Sequence, residues 1–250
     1  MARKAGDALG LYLERLLLRS TLSDAERQAI LDLPAQATLA DVHHDFVRIG
    51  DKLNHACLIV EGLVARFAQI RNGDRGFVAF HIPGDMADLH SVVVPNITWA
   101  LHAVVPSTIL RIPHAALIDL TVRFPALALA FWRDCVVDGN VMAQWTVNIA
   151  RKDAVGRVAH LFCEMYYRYR VIGLVAGGRF PFGITQINLA DSVGLTSIHL
   201  NRVLKRLREE GIATKEADSV TILDFARLAA VGEFDPAYLQ LRNDHRPTRG

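Results

Sequence analysis

Cysteine is scarce in this sequence and forms no pattern. Cys57, Cys135 and Cys163 are the only three in 250 residues. They are odd in number, far apart and without a C-x-x-C pair, which excludes a disulfide framework, a zinc ribbon and an all-cysteine iron–sulfur site. Gly-x-Ser-x-Gly, His-Glu-x-x-His, a Walker loop and the glycine-rich dinucleotide fingerprint are also absent, so no enzyme is expected. Charge of one sign is missing too: 28 Lys plus Arg stand against 26 Asp plus Glu, a net of +2. With 51% apolar residues the chain is expected to fold as one large or two ordinary domains.

From Leu89 to Leu110 there is no Asp, Glu, Lys or Arg. A membrane span is not the reading, because Pro95, Asn96, His102 and Pro106 interrupt the run and would be costly in a lipid-facing helix. Paired strands suit it better. Arg3 and Lys4 are followed by Asp7 and Glu14 with leucines at helical spacing, so no secretory signal is expected and the chain is placed in the cytoplasm. The near-neutral total hides an asymmetry: residues 1–150 hold 13 basic and 15 acidic residues, residues 151–250 hold 15 and 11. An anionic partner is therefore expected to dock late in the chain.

Leu9, Leu13, Leu16 and Leu17 predict an amphipathic helix, and Ser23-Asp24-Ala25-Glu26 a capping box that opens a second one ending before Pro34. From about 38 to 112 the texture is short apolar runs divided by turn residues: Cys57 to Val60 before Gly62, Val64 to Ile70 before Asn72-Gly73, Phe77 to Ile82 before Pro83-Gly84. This predicts an all-β sandwich or barrel. Pro125 to about Ala150 reads as one long helix, on which Leu129, Trp132, Val136, Gly139, Ala143, Thr146 and Ala150 keep the alternating spacing of a coiled-coil seam. A neighbouring stripe holds Phe131, Cys135, Met142, Trp145 and Ile149. So wide an apolar surface predicts a second subunit on one side, with Trp132, Val136, Gly139, Ala143 and Thr146 at the dimer interface. Asp153 caps a further helix to about Tyr169, and Gly177-Gly178 with Pro181 and Gly183 reads as a domain boundary.

The stretch from Thr185 to Gly211 carries the most information. Thr185 caps a short helix with Leu189, Ala190 and Val193 inward; Gly194 makes the turn; Thr196 caps a second helix whose Leu200, Val203, Leu204 and Leu207 form a buried stripe. This is a helix-turn-helix, completed as a winged helix by a hairpin of Ile212–Lys215 and Val220–Leu223. Ser197, His199, Asn201, Arg202, Lys205, Arg206 and Arg208 are left on the open faces, the donors a major groove and its phosphates require. Thr185, Gln186 and Thr196 join them as expected DNA contacts. A solvated basic helix with no ligand is the plain alternative, and the joint occurrence of caps, turn and wing argues against it.

Leu189-Ala-Asp-Ser-Val-Gly-Leu-Thr-Ser-Ile-His-Leu-Asn-Arg-Val-Leu-Lys-Arg-Leu-Arg-Glu-Glu-Gly211 resembles the C-terminal domain of Crp-Fnr type transcription regulators. Upstream, Val60-Glu-Gly-Leu-Val64, Phe80-His-Ile-Pro-Gly-Asp85, Leu110-Arg-Ile-Pro113 and Phe124-Pro-Ala-Leu-Ala128 follow in that family's order, so the resemblance spans about residues 10–231. It implies an α+β chain: an N-terminal jelly-roll β-barrel of the cyclic-nucleotide-binding type (1–124), a long dimerisation helix (125–152), a winged helix-turn-helix (153–231) and a tail (232–250). It further implies a homodimer on a palindromic operator in double-stranded DNA, RNA polymerase as a partner if the protein activates, and an unidentified small effector. By the same resemblance Ser197, Ile198 and Arg202 stand at the base-reading positions, and only Arg202 keeps the family's usual chemistry. The effector turn, Gly-Glu-Leu in the family, reads Ala87-Asp88-Leu89, and its phosphate-binding Arg with Ser or Thr falls near Thr98-Trp99. The effector pocket is thus placed at Asp88, Leu89, Thr98 and Trp99, without the cation that cyclic AMP requires.

No cofactor is expected. Haem stays open as an alternative because His43, His44, His55, His81, His90, His102 and His114 lie in the sensor region. Cys135 is read as a packing residue, with a thiol sensor as the alternative. An interaction scaffold with a vestigial winged helix is the remaining rival. The tail from Glu233, with Tyr238 and Leu241 before Pro247, has no functional reading.

Overall fold

The structure, a computed structural model, describes residues 5–42, 45–71, 73 and 75–241. His43, His44, Asn72 and the end of the tail, including Pro247, lie outside the described residues. The chain divides into two compact units, Met1–Gly139 and Asn140–Gly250, and the division falls inside the long helix.

The first unit opens with α1 (Ala5–Leu17) and α2 (Asp24–Leu31). The capping box is present: Glu26 N–H donates to Ser23 Oγ at 3.4 Å and Ser23 N–H to Glu26 Oε2 at 2.7 Å. Seven strands follow: β1 (Gln36–Ala40), β2 (Asp45–Val47), β3 (His55–Glu61), β4 (Val64–Gln69), β5 (Arg75–His81), β6 (Ala100–Ala103) and β7 (Ser107–Pro113). They form two antiparallel sheets, ordered β1-β7-β3 and β2-β6-β4-β5. Among the described residues the pairing gives two sheets with no strand pair closing them into a ring, consistent with the expected jelly-roll. The charge-free run is strand only from Ala100 onward, since Leu89–Val92 makes a short 3-10 turn.

Alternation along β3 shows why the sheets stack as they do. Ala56, Leu58 and Val60 pack with Tyr12, Leu16, Leu117, Leu127 and Phe131 on the helical side. Cys57 and Ile59 point the other way, to Val64, Leu101, Ala103 and Ile109. Successive side chains of a strand face opposite ways, so this three-stranded sheet is apolar on both faces, covered by helices on one and by the second sheet on the other. Gly62 makes the β3–β4 turn at φ 104°, where a Cβ would stand 2.1 Å from Ser107 Oγ. After Pro113 come α3 (His114–Arg123) and, with Pro125 at its first position, α4 (Pro125–Arg151).

The second unit holds the end of α4, then α5 (Ala154–Val171), β8 (Arg179–Pro181), α6 (Gln186–Ser192), α7 (Ser197–Glu209), β9 (Ala213–Lys215), β10 (Ser219–Ile222) and α8 (Phe225–Gly232), ending in a 3-10 turn at Pro236–Leu239. The strands pair as β8-β10-β9, so the wing has a third strand beyond the predicted hairpin. Gly177 and Gly178, both at positive φ, make a tight turn between Ala176 and Arg179 inside this unit rather than a boundary. Glycine is required at 178, since a Cβ there would lie 2.5 Å from the Ile222 carbonyl oxygen. Phe162, Tyr167, Tyr169, Phe180 and Phe182 are the unit's largest fully buried side chains. Among the described residues no helix is long and apolar enough to cross a membrane.

Candidate nucleic-acid interface

The interface is built on α6, α7 and the turn between them. Thr185 Oγ1 accepts the Asn188 N–H at 3.2 Å and Thr196 Oγ1 accepts the His199 N–H at 3.2 Å, so each helix starts on the threonine the sequence indicated. Between them Gly194, at φ 64°, lets the Leu195 N–H return to the Ala190 carbonyl at 2.9 Å. Arg157 of α5 donates to the carbonyls of Val193 and Gly194, both at 3.3 Å, and pins that turn from below.

Leu200, Val203 and Leu207 bury one face of α7, and Leu204 is half-buried. The opposite face presents Ile198, His199, Asn201, Arg202, Lys205, Arg206 and Arg208, all exposed, with Ser197 half-buried. The cations differ. Lys205 lies 3.7 Å from Glu209, and Arg206 2.7 Å from Glu210, whereas Arg202 and Arg208 have no ion pair among the described residues. At the wing tip the charges are balanced: Arg179 is held by Glu216 at 3.1 Å and Asp218 at 3.2 Å, and Lys215 donates to the carbonyls of Glu216 and Ala217. Positive charge for a phosphate backbone is therefore concentrated on α7.

The four residues expected to form an effector pocket differ in exposure. Asp88 and Leu89 are buried, whereas Thr98 and Trp99 are exposed ahead of β6. Asp88 Oδ1 accepts the Cys57 N–H at 2.6 Å, while its Oδ2 is buried without a hydrogen-bond partner. Burial raises its pKa to about 6, against the opposing pull of the Cys57 hydrogen bonds and the Arg66 charge. Beside it the buried Arg66 donates to the Ala87 carbonyl and pairs with Asp138 of α4. Arg19 pairs with Asp134 at 2.9 Å, one helical turn earlier. These two ion pairs hold α4 against the β-sheet unit, and nothing local in the sequence announced them.

His102 lies 2.9 Å from Asp45, and Ser91 2.8 Å from His114. Among the described residues no three His, Cys, Asp or Glu side chains converge as a metal site would need. Burial, then the charges of Asp134 and Asp138, push the Cys135 thiol up to about 12, so it stays protonated and packs. Burial also raises Cys57 and Cys163.

The predicted seam on α4 is exposed: Leu129, Trp132, Val136, Ala143, Thr146 and Ala150 all face outward, Trp132 at 69%, and Gly139 is half-buried; Val147, not predicted as part of it, is exposed as well. Phe131 and Trp145 of the neighbouring stripe are buried, while Ile149 is exposed.

The part of the second unit that sequence reasoning missed is a buried polar cluster. Glu164 of α5, fully buried, accepts from Trp145 Nε1 at 3.0 Å, Tyr238 Oη at 2.8 Å and Arg168 at 3.1 Å. A lone glutamate amid Phe162, Cys163, Met165 and Tyr166 was the available signal.

Residues 156–231 match the family model described as the Crp-like helix-turn-helix domain. The fumarate and nitrate reduction regulatory protein of Vibrio cholerae is 21% identical over 219 residues, 86% of each chain. The transcriptional activator protein anr of Pseudomonas aeruginosa is 22% identical over 184 residues, 74% of this chain and 75% of that one. In fold, the chain is similar to FixK2 of Bradyrhizobium japonicum, at 20% identity with a TM-score of 0.69, over 80% of this chain and 98% of that one. It is also similar to a c-di-GMP-responsive global regulator of Xanthomonas campestris, at 14% identity with a TM-score of 0.61, over 80% and 99%. Residues 156–231 thus match a Crp-like helix-turn-helix domain, and the curated relatives, named as regulatory proteins and a transcriptional activator, together with the capped helix pair and its basic open face support a DNA-binding transcription regulator of the Crp-Fnr type.

Proposed function

We propose that the protein acts as a homodimer on a two-fold symmetric operator, with α7 of each subunit in a major groove. The observation that carries this is the pairing of two open surfaces in one chain: the donors of α7, and the apolar seam of α4 led by the 69% exposed Trp132. A lone helix has no reason to hold Leu129, Trp132, Val136 and Val147 in water, and a second copy of the same stripe removes them from it. Two-fold symmetry then sets half-sites about one helical turn, roughly 34 Å, apart. Gln186, Ser197, His199, Asn201 and Arg202 contact the DNA, with Arg202 on guanine and Lys205 and Arg206 near phosphate; Thr185 and Thr196 do so from their cap positions.

The sensor unit does not take cyclic AMP. Asp88, at the position of the ribose-binding acid, is buried on the Cys57 amide, and Trp99 brings no cation. The effector is a different small molecule or none, no haem or other cofactor is held, and RNA polymerase is a partner if the protein activates. The protein works in the cytoplasm, where its DNA is. Sedimentation of the purified chain with and without Trp132→Glu tests the core of this reading. A dimer that the substitution splits, with loss of operator binding, is expected, and a wild-type monomer that binds DNA with full affinity would overturn it. Calorimetric titration with cyclic AMP should give no binding heat.

A further inference from the structure

Ile198 is the one residue on the open face of α7 that cannot make a hydrogen bond. It sits in the first turn of the helix, 69% exposed, between the half-buried Ser197 and the exposed His199. Its i+3 and i+4 neighbours on that face are Asn201 and Arg202. We infer that Ile198 is a specificity-determining residue that reads a thymine in the operator through the thymine C5 methyl group.

The argument is one of chemical matching, and it rests on the reading of α7 as the helix in the major groove. The first turn of such a helix is the part that reaches base edges. Those edges offer nitrogen and oxygen donors and acceptors for every base, and a single alkyl group, the thymine methyl. An isoleucine pressed against a donor or acceptor strips it of water and returns no hydrogen bond. Against the methyl it removes apolar surface from water on both sides. Branching at Cβ leaves Ile198 few rotamers to lose on contact, which suits a reading position. Ile187 holds the equivalent place on α6, after Thr185 and Gln186, and is also 65% exposed. In this docking the first helix crosses the phosphate backbone, so only Ile198 is brought to the bases.

Position follows as well. From residue 198 to 202 the helix rises about 6 Å, close to two base-pair steps of about 3.4 Å. The thymine is therefore expected within about two base pairs of the guanine read by Arg202. Ile198 and Arg202 together then specify a T and a G at short, fixed spacing in each half-site.

The test uses the full-length protein and an operator selected by it from random duplex DNA. Each dT of the operator is replaced in turn by dU, which removes the methyl and nothing else, and affinity is read by fluorescence anisotropy. Wild type is expected to lose roughly four-fold at one position per half-site, and roughly fifteen-fold when both half-sites are changed. Ile198→Val should keep the discrimination, and Ile198→Ala should bind dT and dU operators alike. Because the side chain is exposed, both variants should melt as wild type does, which circular dichroism checks. Selective binding with no dU-sensitive position, or Ile198→Ala retaining the wild-type loss, overturns the inference and leaves α7 as the recognition helix. Absence of any sequence preference in the wild type overturns both.

Discussion

Tyr238 donates its hydroxyl proton to the buried carboxylate of Glu164 at 2.8 Å, across 74 residues of sequence. Residues beyond the matched domain thus complete the donor set of an ion pair inside it. Lys152, next to the end of α4, adds a second tie: its ammonium lies 3.2 Å from His160 Nδ1 and donates to the carbonyls of Gly232 and Glu233, where α8 ends. A cation at a helix C-terminus is favourably placed. The tail, α5, α8 and the last turns of α4 are joined in this way through side chains rather than backbone.

Removing the Tyr238 hydroxyl is expected to be costly because the partner is a buried charge. Tyr238→Phe removes one donor from Glu164 Oε2, which keeps the Trp145 indole N–H, and should lower stability by about 1.5–3 kcal/mol. Urea denaturation followed by tryptophan fluorescence measures it. Combined with Trp145→Phe, the losses should be non-additive, since both donors serve one oxygen. A loss below about 0.5 kcal/mol would mean that the hydroxyl is not shared with the carboxylate.

Asp88 and His160 should tilt the pH dependence of stability in opposite directions across one window. With a folded pKa of about 6, above its unfolded value, Asp88 keeps a proton the unfolded chain has lost. Its contribution is fully present below about pH 4 and is lost as pH rises through 6. His160 is pushed down to about 4 by burial and by the Lys152 charge. Its contribution is fully present above about pH 6.5 and is lost as pH falls through 4. Asp88→Asn keeps an oxygen for the Cys57 N–H, so above pH 6 it should exceed wild type by on the order of 3 kcal/mol and converge with it near pH 4. His160→Gln should diverge from wild type with the opposite slope. Parallel denaturation profiles at pH 4, 5, 6 and 7 would reject both assignments.

The helices, the capped helix pair and most strands were legible because each rests on local rules: apolar spacing, Thr185, Thr196 and Ser23 as caps, Gly194 as a turn. The exposed apolar stripe of α4 was legible for the same reason. What stayed hidden depends on partners distant in sequence, as with Arg66–Asp138, Arg19–Asp134 and Tyr238–Glu164. β8 was hidden because three residues with a proline carry no alternating pattern, and its pairing comes from β10. The run after Asp88 read as strand because it lacks charge, yet His90 and Ser91 sit in a 3-10 turn that buries Leu89. The effector residues were assigned by position in a family pattern, and a position does not say whether an acid such as Asp88 faces a cavity or a neighbouring amide.

The Arg66–Asp138 pair tests how α4 is held. Asp138→Ala leaves the buried guanidinium without that carboxylate and is expected to cost about 3 kcal/mol. Replacing both at once, Arg66→Met with Asp138→Leu, should recover most of the loss, because apolar groups of similar volume avoid the desolvation of two charges. Thermal melting of the three proteins decides it. A double variant no more stable than Asp138→Ala would show that the cost came from repacking of α4 rather than from the stranded charge.

Arg202 and Arg208 should separate base reading from phosphate binding on one helix. Both are exposed and unpaired among the described residues, unlike Lys205 and Arg206 with their glutamates. Arg202→Ala is expected to weaken the selected operator by about 1–3 kcal/mol and to relax preference at the position it reads, with random DNA bound nearly as before. Arg208→Ala, six residues further along α7, should weaken all sequences alike and reduce the slope of log affinity against log salt by about 1. Anisotropy titrations at several salt concentrations, on operator and random duplexes, give both quantities. Uniform weakening by Arg202→Ala with a reduced salt slope would move that arginine from a guanine to a phosphate, and the base reading of α7 would then rest on Ser197, Ile198 and Asn201.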